Sequence, residues 1–289
     1  MKKDKIGFLI LHYYAFDETV NCVKSIKEKI DVDDYEIVIV DNCSLNGSGN
    51  LLYKKYKNDR KVTVILNKEN LGFANGNNVG FKYLKNNLGC NYIVMLNNDV
   101  LLLSDNIFKN IKDEYHNTNF AVMGPKIYDI NNNLPYFNKN LLTVNKLRFE
   151  IIYILLLFIL ACCNLLGFLC KLLKRKRDEV CAKSSNCNDG IRKENVLLHG
   201  CCLIFSPTYI EKFDGIDDRT FLYREEEFLY LRIKNSGMIS LYNPNIEIKH
   251  LEDVSTNKSM PDFNKRRRIM YSHHLKSSKL LLKELKKYK

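Results

Sequence analysis

Along the first half of the chain, apolar positions switch between strand and helix periods. Ile6–Leu11 is a continuous apolar run of strand length, followed by DETVNCVKSIKEKI, where Val20, Val23, Ile26 and Ile30 recur at helical spacing. YEIVIVD (Tyr35–Asp41) predicts a second strand, Leu51, Leu52 and Tyr56 a short helix, and VTVIL (Val62–Leu66) a third strand. A helix carrying Val79 and Leu84 and a fourth strand, YIVML (Tyr92–Leu96), complete the series. Such short alternation predicts an α/β fold with a parallel, doubly wound sheet, in which ligands bind at the carboxyl ends of the strands.

Those ends are polar. The first strand runs into His12-Tyr13-Tyr14, the second into Asp41-Asn42-Cys43-Ser44, the third into Asn67 ahead of Asn70-Leu71-Gly72, and the fourth into Asn97-Asn98-Asp99. A buried strand that stops on two amides and a carboxylate predicts a ligand at that edge. In the second half, VLLHGCCLIF (Val196–Phe205) reads as a buried strand, and Ser206-Pro207 as a helix start with a serine N-cap and proline in the first position. Glu225–Ser236 predicts a helix closed by Gly237, and MISLY and IEIKH two further strands, the last ending at His250.

Composition narrows the class. With 46% hydrophobic and 27% charged residues, the 289-residue chain is folded, as one large α/β domain or two small ones. Its formal charge of +12 predicts an anionic partner: nucleic acid, nucleotide or membrane surface. Much of that charge is local, since residues 258–289 carry eleven Lys and Arg against Asp262 and Glu284. The ten cysteines include no C-x-x-C with a matching partner, and Cys181 and Cys187 lack a second ligand pair, so reduced thiols in a cytosolic protein are expected and zinc is not. The lysines ahead of Ile6 imitate a signal peptide, but the run is short and lacks a cleavage site, so none is expected.

Each motif has two readings. Asp99 at a strand end suits a hard divalent ion on a diphosphate, or merely caps a turn. Asp41 and Ser44 accept hydrogen bonds from a ribose or base, or form an Asx-turn. Gly72, Gly76 and Gly80 do not have the spacing of a P-loop or dinucleotide fingerprint, so a dehydrogenase is not indicated. The three glutamates of FLYREEEFLYLR either complement a helix dipole, at about 0.3–1 kcal/mol each, or supply a general base, with mutual repulsion raising at least one pKa.

Taken in order, these stretches resemble the family 2 glycosyltransferases of GT-A fold, of the bacterial surface-polysaccharide, rhamnosyltransferase-like type. VIVDNCSLNGS is similar to that family's "VVDN-S-DGS", NLGFANGNNVG to "N-GFA-G-N-G", and LNNDV to its DXD-like element. LLHGCCLIF, FDGID and FLYREEEFLYLR are similar to "G-FDE-FFLY-EDxDL-R", and His250 with Ser255 to a late "H-x-x-x-x-S". The likeness covers Ile6–Lys126 and Val196–Thr256.

The resemblance implies a Rossmann-like, mostly parallel central sheet flanked by helices. Residues 1–126 would bind the nucleotide sugar, and 196–256 would carry the acceptor and catalytic base. It implies Asp41, Asn42, Ser44, Asn70, Gly72, Asn78 and Asn98 as nucleotide-sugar contacts, and Asp99, Asn97 and His250 around Mg²⁺ or Mn²⁺. Glu226 would be the base, with Glu225 as the alternative. Three departures are Asn97 in place of the first acid of a full DXD, Glu226 one methylene longer than the family's Asp, and Phe228 in place of a common downstream Asp. The implied reaction is an inverting sugar transfer from a nucleoside diphosphate to a saccharide acceptor. The rivals are a nucleotidyltransferase, which would need a basic residue that HYYAFDE lacks, a degenerate transferase acting as a scaffold, and a basic membrane-bound or nucleic-acid-binding protein. Against the last, acids gather at the strand ends where lysines would be wanted, so no nucleic-acid partner is expected.

Residues 127–195 form an insertion containing IIYILLLFILACCNLLGFLC (Ile151–Cys170), which carries no charge and runs directly into KLLKRKR. Its length suits a membrane span, yet one crossing would part Asp99 from Glu226. A shallow helix or a re-entrant hairpin breaking near Asn164 or Gly167 is expected instead, on the cytoplasmic face of an anionic membrane, with the basic tail 257–289 assisting. A buried helical subdomain is the other reading. Together with the family, the insertion implies an acceptor carried on a polyprenyl diphosphate lipid.

Overall fold

The computed structural model describes residues 4–132, 141–163, 190–251 and 262–287. Four strands form a parallel block in the order β3 (Val62–Leu66), β2 (Tyr35–Asp41), β1 (Ile6–His12) and β4 (Tyr92–Asn97). β8 (Cys202–Phe205) joins β4 antiparallel, and β6 (Val122–Tyr128) joins β8 antiparallel. The long β9 (Ser240–His250) runs parallel to β6, and β5 (Val100–Leu102) and β7 (Lys193–Glu194) pair antiparallel with it. The expected α/β class, a mostly parallel central sheet flanked by helices, is what the structure has, with the antiparallel pairs confined to β5, β7 and β8.

Successive side chains of a strand face opposite sides of a sheet, and here both sides are covered. Ile6, Phe8 and Ile10 pack with Cys22, Val23 and Ile26 of α1 (Phe16–Lys29), with Leu52 and Tyr56 of α2 (Ser48–Tyr56), and with Phe108 and Ile111 of α4 (Ile107–Thr118). Leu9 and Val38 face the other way, onto Ala74 and Phe81 of α3 (Gly72–Lys82) and Leu84 in the π turn that continues it. This is why β1 and β2 read as unbroken apolar runs.

Three local expectations need correction. Val196–Phe205 is a strand only over Cys202–Phe205, because His199-Gly200 turns toward the carboxyl edge of the sheet before the chain pairs with β4. MISLY and IEIKH are one strand, β9, in which Pro244-Asn245-Ile246 is absorbed by a register shift against β6 between Pro125 and Lys126. A proline is accommodated at such a bulge because it has no ladder hydrogen to give. Ser206 precedes the short helix α6 (Pro207–Ile210) but does not cap it, since its hydroxyl donates to Phe120 O instead.

A third apolar cluster joins α5 (Val144–Cys162), α7 (Glu225–Asn235) and α8 (Phe263–Lys286). Val144 and Leu147 of α5 and Leu281 and Leu285 of α8 meet Phe228 and Leu231 of α7, while Leu229 and Ile233 of α7 pack toward the sheet. The helix bearing the three glutamates is thus held between the sheet and the α5–α8 pair. Among the described residues no helix is long and apolar enough to cross a membrane. The expected break at Asn164 or Gly167, the KLLKRKR flank, Ser255, Cys181 and Cys187 lie outside the described residues.

Candidate active site

β1 and β2 end in register, His12 opposite Asp41, with Asn97 of β4 opposite Leu11. Their polar ends therefore form one continuous edge. Asp41 is buried, both its oxygens stand 3.3 Å from Ser44 N, and burial raises its pKa against those bonds. A side chain at residue 49 would place Cβ 2.1 Å from Asp41 Oδ2, so Gly49 at the start of α2 leaves the room that the carboxylate occupies. The chain leaves the two strands through Tyr14 and Cys43 with φ of 61° and 64°, and Tyr14 N donates to Ser44 Oγ at 2.9 Å. Left-handed backbone at non-glycine residues costs of order 1–3 kcal/mol and gathers at functional sites.

Behind this edge His12 is fully buried, with Nδ1 2.7 Å from Thr19 Oγ1 and Nε2 2.8 Å from Ser48 Oγ. The Thr19 hydroxyl donates to Ala15 O at 2.9 Å and the Ser48 hydroxyl to Asn46 Oδ1 at 2.7 Å, so both groups that hold the ring are themselves fixed by further hydrogen bonds. Burial lowers the His12 pKa to about 4, so the ring is neutral here.

The residues expected to touch the nucleotide sugar divide into two groups. Asn42, Asn70, Gly72 and Asn78 build the wall. The Asn42 amide donates to Asn70 Oδ1 and Gly72 O, each at 3.0 Å, and its oxygen accepts from Leu71 N at 3.0 Å and Asn67 Nδ2 at 3.2 Å. Asn78 brackets the backbone of Ile216, donating to its carbonyl at 2.9 Å and accepting from its amide at 2.8 Å. Gly72 has φ of 80°, and a Cβ there would lie 2.3 Å from Phe221 O, which accepts from Phe73 N. These contacts clamp the loop and helix around 72–78 to segment 216–221. Asp41, Ser44 and Asn98 lie at the strand ends themselves, Asn98 buried with its amide 3.2 Å from Thr19 Oγ1.

Asp99 follows β4 directly. Its carbonyl accepts from Leu251 N at 3.0 Å, and Val100 pairs with His250, which brings His250 Nε2 to 3.3 Å from Asp99 Oδ1. Asn97 N donates to Cys201 O at 2.9 Å. No three His, Cys, Asp or Glu converge on one point among the described residues. One carboxylate and one imidazole are an incomplete shell that suits a divalent ion whose other positions are filled by diphosphate oxygens and water.

The three consecutive glutamates have three different environments. Glu227 is buried against Arg224 at 2.7 Å. Glu225 is buried and accepts from Thr220 Oγ1 at 3.0 Å, and burial followed by the charge of Glu226 raises its pKa to about 7. Glu226 is partly exposed, with Oε1 accepting from Gly200 N at 3.1 Å. The turn 199–201 lies between the two ends of the site. Gly200 meets Glu226, Cys201 meets Asn97, and the His199 ring centres 5.8 Å from that of His250. The Cys201 thiol is pushed up by burial and then by Cys202, Asp99 and Glu226, so both carboxylates act on it.

His199, Thr220 and Arg224 were not singled out from the sequence. His199 lay inside an apparent strand, and Thr220 and Arg224 become visible only when segment 219–224 is seen against α7 and α8. Tyr223 and Arg224 both have φ of 73°, a bend no single residue type announces.

A family model described as Glycosyl transferase family 2 matches residues 8–174. No curated protein matches the chain in sequence. Among solved structures, S. aureus TarS 1–349 matches with a TM-score of 0.53 at 12% identity, over 86% of this chain and 60% of that one. The same fragment in complex with UDP matches at 0.52 and 12% identity, over 85% and 60% of the two chains. GalNAc-T7 with UDP, GalNAc and Mn²⁺ matches at 0.58 and 13% identity, over 86% of this chain and 44% of that one. At such identities the likeness concerns the fold alone, and the chain spans less than two thirds of the length of each of these proteins.

Proposed function

The chain belongs to glycosyl transferase family 2, whose model covers more than half its length, and from that premise we propose an inverting transfer from a nucleoside diphosphate sugar to a saccharide acceptor, with Glu226 as base. The observation that carries this reading is the turn 199–201, which Glu226 reaches from one side and the Asp99–His250 pair borders on the other.

Asp41 and Ser44 would receive the nucleoside, on a wall kept in shape by Asn42, Asn70, Gly72 and Asn78, with Asn98 supporting the edge from behind. Asp99 and His250 would hold a divalent ion, with Asn97 beside them, and the imidazole makes Mn²⁺ a better fit than Mg²⁺. When bound, such an ion stabilises the negative charge of the departing diphosphate. Glu226 keeps Oε1 on Gly200 N, which leaves Oε2 for the acceptor hydroxyl. The hydroxyl proton passes to that carboxylate as its oxygen bonds to the anomeric carbon. The bond from that carbon to the diphosphate oxygen breaks on the opposite face, which inverts the centre. Glu225 is the poorer base because it is buried on Thr220.

In this reading residues 1–126 are the donor half, 196–256 the acceptor half, 127–195 an insertion and 257–289 a basic tail. The acceptor is carried on a polyprenyl diphosphate lipid at the cytoplasmic membrane face, in the assembly of a surface polysaccharide. The apolar α5 and the basic charge near it support that location. The test is calorimetry against a panel of sugar nucleotides, with and without Mn²⁺, on wild type and Asp99→Ala. Metal-dependent binding of one nucleotide, lost in the variant, is the expected result. A folded protein that binds none of them moves the reading to a catalytically degenerate scaffold.

A further inference from the structure

Helix α5 is apolar on two faces, and the described residues bury only one. Val144, Leu147, Ile154 and Ala161 are buried. On the other side Phe149 is 73% exposed, Ile152 63%, Tyr153 60%, Leu156 53% and Ile159 50%, and the exposed Cys163 ends the same line. The positions follow i, i+3, i+4, i+7, i+10 and i+14, a single stripe along the helix. Scattered exposed apolar side chains need no explanation, but five in a row on one face form a patch that soluble monomers rarely leave open.

Charge selects the occupant. Lys146 and Arg148 are exposed at the start of the stripe, and no acidic residue occurs from Ile151 to Cys163. The neighbouring α8, whose Ser278 meets the same guanidinium as Glu150 of α5, exposes Lys265, Lys276, Lys279, Lys283 and Lys286. A second copy of a chain of formal charge +12 would bring like charges together around the patch, whereas anionic headgroups complement them. A helix packed along one side on its own protein cannot insert across a bilayer, but it can lie in the interface with the other side immersed.

We infer that the 149–159 face of α5 docks on an anionic lipid bilayer, with the helix in the membrane plane. This gives the membrane location proposed above a physical surface, and rests on that location but not on the donor or base assignments. It also orients the site, because Glu150 on this helix binds Arg224 at the head of the glutamate helix.

The test is co-sedimentation of the full chain with vesicles, without donor or acceptor. One vesicle is equal parts phosphatidylcholine and phosphatidylglycerol, the other phosphatidylcholine alone. Phe149, Ile152 and Leu156 are each more than half exposed, so the combined Phe149→Ser, Ile152→Ser and Leu156→Ser variant should melt like wild type. Its partitioning onto anionic vesicles should fall by more than about tenfold. Lys146→Glu with Arg148→Glu should weaken binding by about threefold to tenfold, on the anionic vesicles only. The inference is overturned if wild type binds neither vesicle, or if the serine variant binds as well as wild type. A wild-type dimer that the serine variant dissociates, with no lipid binding, would overturn it in favour of a second copy. Sugar-nucleotide binding, measured separately, fails or succeeds independently of these outcomes.

Discussion

Glu150 and Arg224, 74 residues apart in sequence, meet at 2.5 Å, and the same guanidinium takes Glu227 at 2.7 Å and Ser278 Oγ at 3.1 Å. One side chain therefore ties α5, α7 and α8 together immediately before the candidate base. It also neutralises one of three adjacent carboxylates, leaving Glu225 and Glu226 in different environments. Removing one partner of a buried pair strands the other, at a cost of about 3–5 kcal/mol. Arg224→Leu should lose stability on that order in urea unfolding. Arg224→Lys, which cannot span three partners, should lose less. In the lysine variant sugar-nucleotide affinity should stay near wild type while transfer slows, because Asp41 and Ser44 lie across the site. Equal losses in both would refute the positioning role.

The glutamates separate by chemistry as well as by place. Glu226→Gln keeps the shape and the bond from Gly200 N but cannot take a proton, so kcat should fall by at least about 10²-fold with donor affinity unchanged. Glu225→Gln should keep the rate within about tenfold. Steady-state kinetics with calorimetry on both variants decides the matter, and the reverse order would make Glu225 the base.

Gly49 and Asp41 make a size test. The added methyl of Gly49→Ala would sit 2.1 Å from Asp41 Oδ2, a distance no contact tolerates, so the carboxylate must move. The fold should survive, because alanine is a good helix former at that helical position. Donor affinity should drop by about tenfold or more if Asp41 holds the nucleoside, and isothermal titration would show no change if it does not.

Much of this site was legible in the chain because strand ends in a parallel sheet are marked by where apolar runs stop. Asp41 and Asn97-Asn98-Asp99 interrupt such runs, and they lie on one edge because β2, β1 and β4 are neighbours in register. The antiparallel half was read less well. β9 looked like two strands because a bulge breaks its period at Pro244, and His199-Gly200 looked like strand because turn residues followed directly on an apolar run. Arg224 could not be read at all. Its partners come from three segments, and only their packing shows that its charge is spent inside the protein. Asn42 and Asn78 make the converse point: a polar side chain at a site's edge can serve the wall, and sequence does not say which way its amide faces.

The buried titrating groups predict an unusual pH response of stability. Glu225 has its pKa raised to about 7 from 4.5, so the fold favours its protonated form. Its contribution is complete below the unfolded value and is lost as pH rises through about 7. His12 has its pKa lowered to about 4 from 6.5, so the fold favours its neutral form, and its contribution is complete above 6.5 and lost as pH falls through about 4. Each shift corresponds to at most about 3 kcal/mol. Between roughly pH 4.5 and 6.5 the two slopes oppose each other, so this pair leaves wild-type stability nearly flat. Glu225→Gln removes one slope. The variant should gain stability as pH rises through that interval and be more stable than wild type at pH near 8, by up to about 3 kcal/mol. Urea unfolding of both proteins at several pH values tests this. Parallel curves would mean that Glu225 is not held protonated by its burial.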